Sequence, residues 1–157
     1  MTANRIRLAV FLIIIAFSAQ LACAALATSQ MNKDGLSLDV TAVERKGNVL
    51  TVKWAVKNSG SDSTSFIFNL SGDHTTTYAV DEENGKKYYV LHDSEKHALA
   101  SADEYTGSGS GITDRVAAGQ TKRYWMKLPA PPAAVKKINI FFTDAEPVED
   151  VAITDKQ

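Results

Sequence analysis

His92-Asp93-Ser94-Glu95-Lys96-His97 is the densest run of reactive side chains in this 157-residue sequence. Imidazoles and carboxylates are the donors that hold Zn²⁺ and related divalent ions. His92, Asp93, Glu95 and His97 are therefore the candidate metal ligands, with Asp73-His74 able to join them through space. Two features count against a metal. No His-x₃-His helical pair is present, and the Lys96 ammonium repels a cation. A solvated loop explains the same residues without a ligand. The acidic turn Asp81-Glu82-Glu83-Asn84-Gly85 offers oxygens for calcium but lacks EF-hand spacing. No cofactor is expected.

Nucleophilic chemistry finds no support. The lone cysteine, Cys23, lies in an N-terminal apolar segment, and no Gly-x-Ser-x-Gly elbow occurs. Ser108 in Gly107-Ser108-Gly109 lacks the preceding strand and following helix that an elbow requires. There is no P-loop and no dinucleotide fingerprint. Carboxylate pairs for glycoside hydrolysis meet only in three dimensions, but no cleft-building insert is visible. The chain is expected to be non-catalytic.

A different chemistry is offered by Lys122-Arg123-Tyr124-Trp125-Met126-Lys127-Leu128. In a strand with Tyr124, Met126 and Leu128 inward, Arg123, Trp125 and Lys127 face outward together. An exposed tryptophan between two cations is a contact surface for protein or glycan. The alternatives are that Trp125 packs beneath a neighbouring segment, or that the register is reversed.

The elements that position these residues alternate with a period of two. Leu36, Leu38, Val40 and Ala42 alternate with polar neighbours, as do Leu50, Val52, Trp54 and Val56, with Arg45-Lys46-Gly47-Asn48 as a turn between them. Phe66, Phe68 and Leu70 form a further set. Asn84-Gly85 signals a type I′ hairpin between residues 78–81 and 87–91. Strands follow at 121–128, 137–142 and 148–153, and Pro129-Ala130-Pro131-Pro132 breaks the chain between the first two. Residues 92–111 are the long irregular segment, with one helical turn at 97–102. Apolar spacings of three and four are missing from the alternating runs. About seven strands, each with one apolar face, are most simply covered by a second sheet. The expected fold is all-β, an antiparallel β-sandwich of immunoglobulin-like type with Trp54 in its core. A small closed barrel is the alternative. Residues 28–35 read as a linker, 36–153 as the sandwich and 154–157 as a tail.

Composition agrees with one globular domain: 45% hydrophobic and 22% charged residues, which excludes a disordered chain. A net charge of −1 argues against nucleic acid, which demands a strongly basic face. Residues 1–27 read as a secretory signal. Arg5 and Arg7 precede the apolar run of residues 8–17, and small residues follow. Cleavage after Ala24 (Ala22-x-Ala24) and after Ala27 (Ala25-x-Ala27) both fit. Residues 8–27 also reach the ~20 residues that an uncleaved anchor needs, although Ser18 and Gln20 weaken that reading. Lipidation of Cys23 is disfavoured by Gln20 three places before it. Membrane contact is expected only through residues 8–27, if they are retained or lipidated.

The hairpin Val80-Asp81-Glu82-Glu83-Asn84-Gly85-Lys86-Lys87-Tyr88-Tyr89-Val90-Leu91-His92-Asp93 resembles that of small exported bacterial immunoglobulin-like domains. So do Ala118-Gly119-Gln120, Leu128-Pro129-Ala130-Pro131-Pro132 and the closing Pro147-Val148-Glu149-Asp150-Val151-Ala152-Ile153. The resemblance spans roughly residues 36–153. It implies a fold and an exported location, periplasmic or extracellular, and no active-site residue. The expected function is a non-catalytic interaction module whose partner is another envelope or extracellular protein. The alternative is a protease inhibitor acting through residues 92–111, and a metal-binding domain is the least supported reading.

Overall fold

Leu36, Leu38 and Val40 point to one side of β2 (Leu36–Lys46), and Leu50, Val52, Trp54 and Val56 point to the same side of β3 (Val49–Asn58). None of these side chains is more than 2% exposed. The two strands form a hairpin closed by Gly47-Asn48, with Lys46 opposite Val49. Gly47 takes a φ of 57°, as the first central position of a type II′ turn requires. The computed structural model describes residues 24–71, 77–101 and 110–157, with residues 104 and 105 described by their backbone.

These strands belong to a sheet of order β1-β2-β3-β9, where β1 is Ala27–Gln30 and β9 is Thr121–Pro129; β12 (Thr154–Asp155) pairs in parallel with β2. A second sheet runs β11-β10-β5-β6, formed by Val148–Ala152, Lys137–Phe141, Tyr78–Asp81 and Lys86–Tyr89. A third runs β4-β8-β7, formed by Thr64–Asn69, Ser110–Val116 and Glu104–Tyr105. All other strand pairs are antiparallel. The inward residues of the three sheets form one apolar cluster. At its centre Trp54 lies 5.2–5.8 Å from the rings of Phe142, Phe68 and Tyr124. The protein is all-β, consistent with a β-sandwich. Among the described residues no helix is long and apolar enough to cross a membrane.

Several expectations are corrected. Residues 28–35 are not all linker: β1 pairs with β2 from Ala27↔Val40 to Gln30↔Ser37, and Ser29 and Met31 are buried. Nor are residues 154–157 all tail, because β12 pairs with Glu44 and Arg45. The alternation in β2 does not continue to Ala42. A bulge at Thr41 inserts one residue and reverses the inward parity, so Val43 and Arg45 turn inward and Ala42 does not. Residues 97–102 give no helical turn among the described ones. Ala98 bridges His92 and Ala100 bridges Met126, both antiparallel.

The hairpin at Asn84-Gly85 is present, but its connection has four residues, with Asp81 opposite Lys86. Of Asn84 and Gly85 only the glycine has positive φ. Asn84 is held by the Asp81 carboxylate instead, through its backbone N–H and its side-chain amide. Pro129 ends β9 without breaking it. It shares the parity of Trp125 and Lys127, whose N–H groups point away from β3, so the ladder loses no donor there.

Candidate functional site

Strand β9 carries the predicted contact residues in the predicted orientation. Tyr124, Met126 and Leu128 are buried against the core; Arg123 and Trp125 are exposed and Lys127 is half-buried on the opposite face. Their partners on β3 are Ala55, Lys53 and Thr51. Trp125 retains 38% of its surface, a large exposure for this side chain. The Lys127 ammonium lies 5.7 Å from the ring centroid, in cation–π range.

The backbone of β9 is fixed on the side away from β3 by part of the long segment. Ser101 exchanges bonds with Trp125: its N–H donates to the Trp125 carbonyl, and the Trp125 N–H donates to its Oγ, both 2.9 Å. Leu99 and Leu91 do the same for Lys127, with the Lys127 N–H donating to the Leu99 carbonyl and the Leu91 N–H to the Lys127 carbonyl. A neighbouring segment thus meets the Trp125 backbone while the residue stays exposed.

Charge around the ring is uneven. Lys53 is neutralised by Glu44 at 2.8 Å. Arg123, Lys127 and Lys57 have no carboxylate within 4.0 Å among the described residues. On the inner side of the same strand Asp114 of β8 receives the Tyr124 hydroxyl at 2.8 Å and Lys122 Nζ at 2.7 Å. Burial pushes the Asp114 carboxyl up. Lys122, the Arg115 N–H and the Tyr124 hydroxyl outweigh it, and the group ends below its ordinary value. Burial first, and Asp114 second, raise the Tyr124 hydroxyl. These bonds join β8 to β9 at the rim of the core.

The candidate metal ligands form a turn instead of a coordination site. Asp93 Oδ1 accepts from the backbone N–H groups of Glu95 and His97 at 2.9 and 3.0 Å. The Asp93 N–H donates to the His97 carbonyl, closing the loop that the His92↔Ala98 bridge begins. A carboxylate that satisfies local backbone donors stabilises the turn itself. Among the described residues no three His, Cys, Asp or Glu side chains gather where they could hold an ion; Asp73 and His74 lie outside the described residues. Lys96 at the turn has a φ of 71°, and its carbonyl accepts from Ser110 Oγ. This part of residues 92–111 is a closed turn, unlike the extended strand that protease substrates present. Gly107, Ser108 and Gly109 lie outside the described residues.

The acidic turn is likewise occupied. Both Asp81 oxygens accept from Asn84, and Glu82 Oε1 accepts from Asn139 Nδ2. Of the signal-segment positions, Cys23 lies outside the described residues, Ala24 is exposed ahead of β1, and Ala27 is the first residue of β1.

Two features were missed from sequence. Arg45 is buried, and its guanidinium donates to the carbonyls of Pro131, Pro132, Ala133 and Val135 and to Asp155. It had read as a turn residue because the bulge at Thr41 carries no sequence signal of its own. The other is an outer-face row on the second sheet, where Tyr78 lies between Phe141, stacked at 4.9 Å, and Tyr89 at 6.0 Å. Lys87 Nζ lies 4.5 Å from the Tyr78 ring centre, so this ring is already partnered within the sheet. No family model, curated protein or solved structure matches this chain.

Proposed function

We propose that this chain is an exported, non-catalytic domain of immunoglobulin-like type that binds another envelope or extracellular protein through the outer face of β9. One observation supports the reading above others. Trp125 stands exposed on a strand whose backbone is pinned by Ser101, with Arg123 and Lys127 on either side of it in register. A rigidly held aromatic residue with cations around it has the composition of an interface hot spot. The non-catalytic part of the proposal follows from the chemistry present. The Asp93 carboxylate accepts from backbone N–H groups of its own turn, and Asp114 and Asp81 are bonded to their neighbours. Export rests on the sequence pattern of residues 1–27.

Affinity capture from an envelope fraction tests this, using chain 25–157 as bait beside its Trp125→Ala and Arg123→Glu/Lys127→Glu forms. The expected result is a saturable protein partner whose capture falls tenfold or more with either variant, while circular dichroism is unchanged. Equal capture by all three forms contradicts the assigned face. Turnover of any substrate, abolished by a single polar replacement that leaves folding intact, contradicts the non-catalytic reading.

A further inference from the structure

We infer that the open part of the β9 edge accepts an extended, acidic peptide segment as an added strand; this rests on the β9 face being the contact surface and names the partner's chemistry. Successive residues of a strand direct their backbone polar groups to opposite sides. Trp125 and Lys127 direct theirs away from β3, where Ser101, Leu99 and Leu91 meet them. Thr121 and Arg123 share that parity. Their N–H and C=O groups therefore point to the same side, and none has a partner among the described residues. Residues 99–101 lie antiparallel along residues 125–127, and among the described residues none pairs with the outer edge of residues 121–123. Unpaired edge groups of this kind are a template for strand addition.

The side chains around that opening select the occupant. Arg123, Lys57 and Lys127 have no carboxylate partner among the described residues, and Trp125 is exposed beside them. On an added strand, alternate side chains fall on this outer face next to Arg123, so Asp or Glu there completes the charge and an apolar neighbour meets Trp125. A flat anionic lipid surface is a poorer fit. Asp39 and Glu44 lie on the same face of the sheet, on β2, and a planar surface that reaches Arg123 approaches them as well. A second copy of this chain is also a poorer fit. Antiparallel pairing of two β9 edges about residues 121–123 brings the two Arg123 side chains, and their neighbouring cations, together.

The test is amide hydrogen exchange on ¹⁵N-labelled chain 25–157 with a defined probe, a blocked seven-residue peptide of alternating Glu and Val. Its controls are the Lys-for-Glu peptide, a Glu/Val peptide interrupted by a central Pro, and vesicles of phosphatidylglycerol and phosphatidylcholine. At saturating acidic peptide, exchange at the Thr121 and Arg123 amides is expected to slow tenfold or more, and Trp125 fluorescence to change. The Lys and Pro peptides and the vesicles are expected to do neither. Thr121→Pro removes one edge donor while keeping every cation and Trp125, and is expected to weaken the peptide at least fivefold. No binding at millimolar peptide overturns the inference. So does binding without slowed Thr121 and Arg123 exchange, equal binding of the Lys peptide, or preferential binding of vesicles. Those results leave the contact-surface reading standing if envelope capture still depends on Trp125. Capture indifferent to Trp125 and Arg123 overturns the reading itself.

Discussion

Asp155 Oδ1 accepts a hydrogen bond from Arg45 Nε at 2.6 Å, and this contact fastens the C-terminal strand β12 to the buried end of β2. The rest of the Arg45 guanidinium donates to carbonyls of residues 131–135. One side chain thereby organises the proline-rich corner that links β9 to β10. Replacing Arg45 with Met leaves those carbonyls without their donor in a buried place. The expected cost is about 3 kcal/mol, read as a lower urea midpoint at unchanged m value. A midpoint within error of the parent contradicts the assignment.

The same contact makes stability depend on pH. Hydrogen bonds from Arg45, and next from Lys136, pull the Asp155 carboxyl down to about 2. Its unfolded value is about 4. A depressed carboxyl stabilises the fold above its unfolded pKa, and that contribution disappears as pH falls through the folded one. Glu44, held down chiefly by Lys53, acts in the same sense. The melting temperature is expected to drop between pH 4 and pH 2, and Asp155→Asn to flatten that drop. Parallel profiles for the two proteins contradict the prediction.

The bulge at Thr41 decides which residues of β2 face the core. Deleting Thr41 closes the bulge, so that Ala42 follows Val40 in plain alternation while Val43 and Arg45 keep their inward places opposite Val52 and Leu50. The deletion is therefore expected to destabilise less than Arg45→Met, measured by urea unfolding. Equal or larger loss contradicts the role given to the bulge.

Trp54 and Trp125 lie on neighbouring strands and are expected to behave oppositely. Trp54 is 1% exposed at the centre of the aromatic cluster, so Trp54→Ala is expected to cost about 4 kcal/mol. Trp125→Ala removes a ring that already meets solvent and is expected to cost about 1 kcal/mol. Comparable losses in urea unfolding contradict the division between core and contact residue.

The proposed cleavage of the N-terminal segment is also testable. The Leu26 N–H donates to the Val40 carbonyl at 2.7 Å and Ala27 pairs with Val40. A cut after Ala27 removes both, whereas a cut after Ala24 leaves β1 whole. If the proposed export holds, the intact mass of the protein recovered from cells is expected to match residues 25–157. A mass matching 28–157 or 1–157, or one carrying lipid on Cys23, contradicts this.

Much of the fold was legible from period-two alternation, because burial of one face leaves a direct mark on residue type. Leu50, Val52, Trp54 and Val56 face the core as their pattern required, and Arg123 and Trp125 face outward as theirs did. The pattern failed where pairing depends on backbone rather than on side-chain character. β1 is mostly polar, with Thr28 bonded to Asp39 and Ser29 to the Glu146 carbonyl. β12 is two residues long and is held by a salt bridge. The His92–His97 cluster shows the same limit of composition. Its carboxylate at Asp93 serves local N–H groups, a role composition does not distinguish from metal ligation.

The claim that β9 carries the contact surface is tested most directly by photo-crosslinking in cells. A photoreactive phenylalanine derivative is placed at position 125, and in a separate chain at position 67, where Ile67 is exposed on the outer face of β4. The prediction is a discrete covalent adduct with another exported protein from position 125 and none from position 67. Adducts from both positions alike, or from position 67 alone, contradict it.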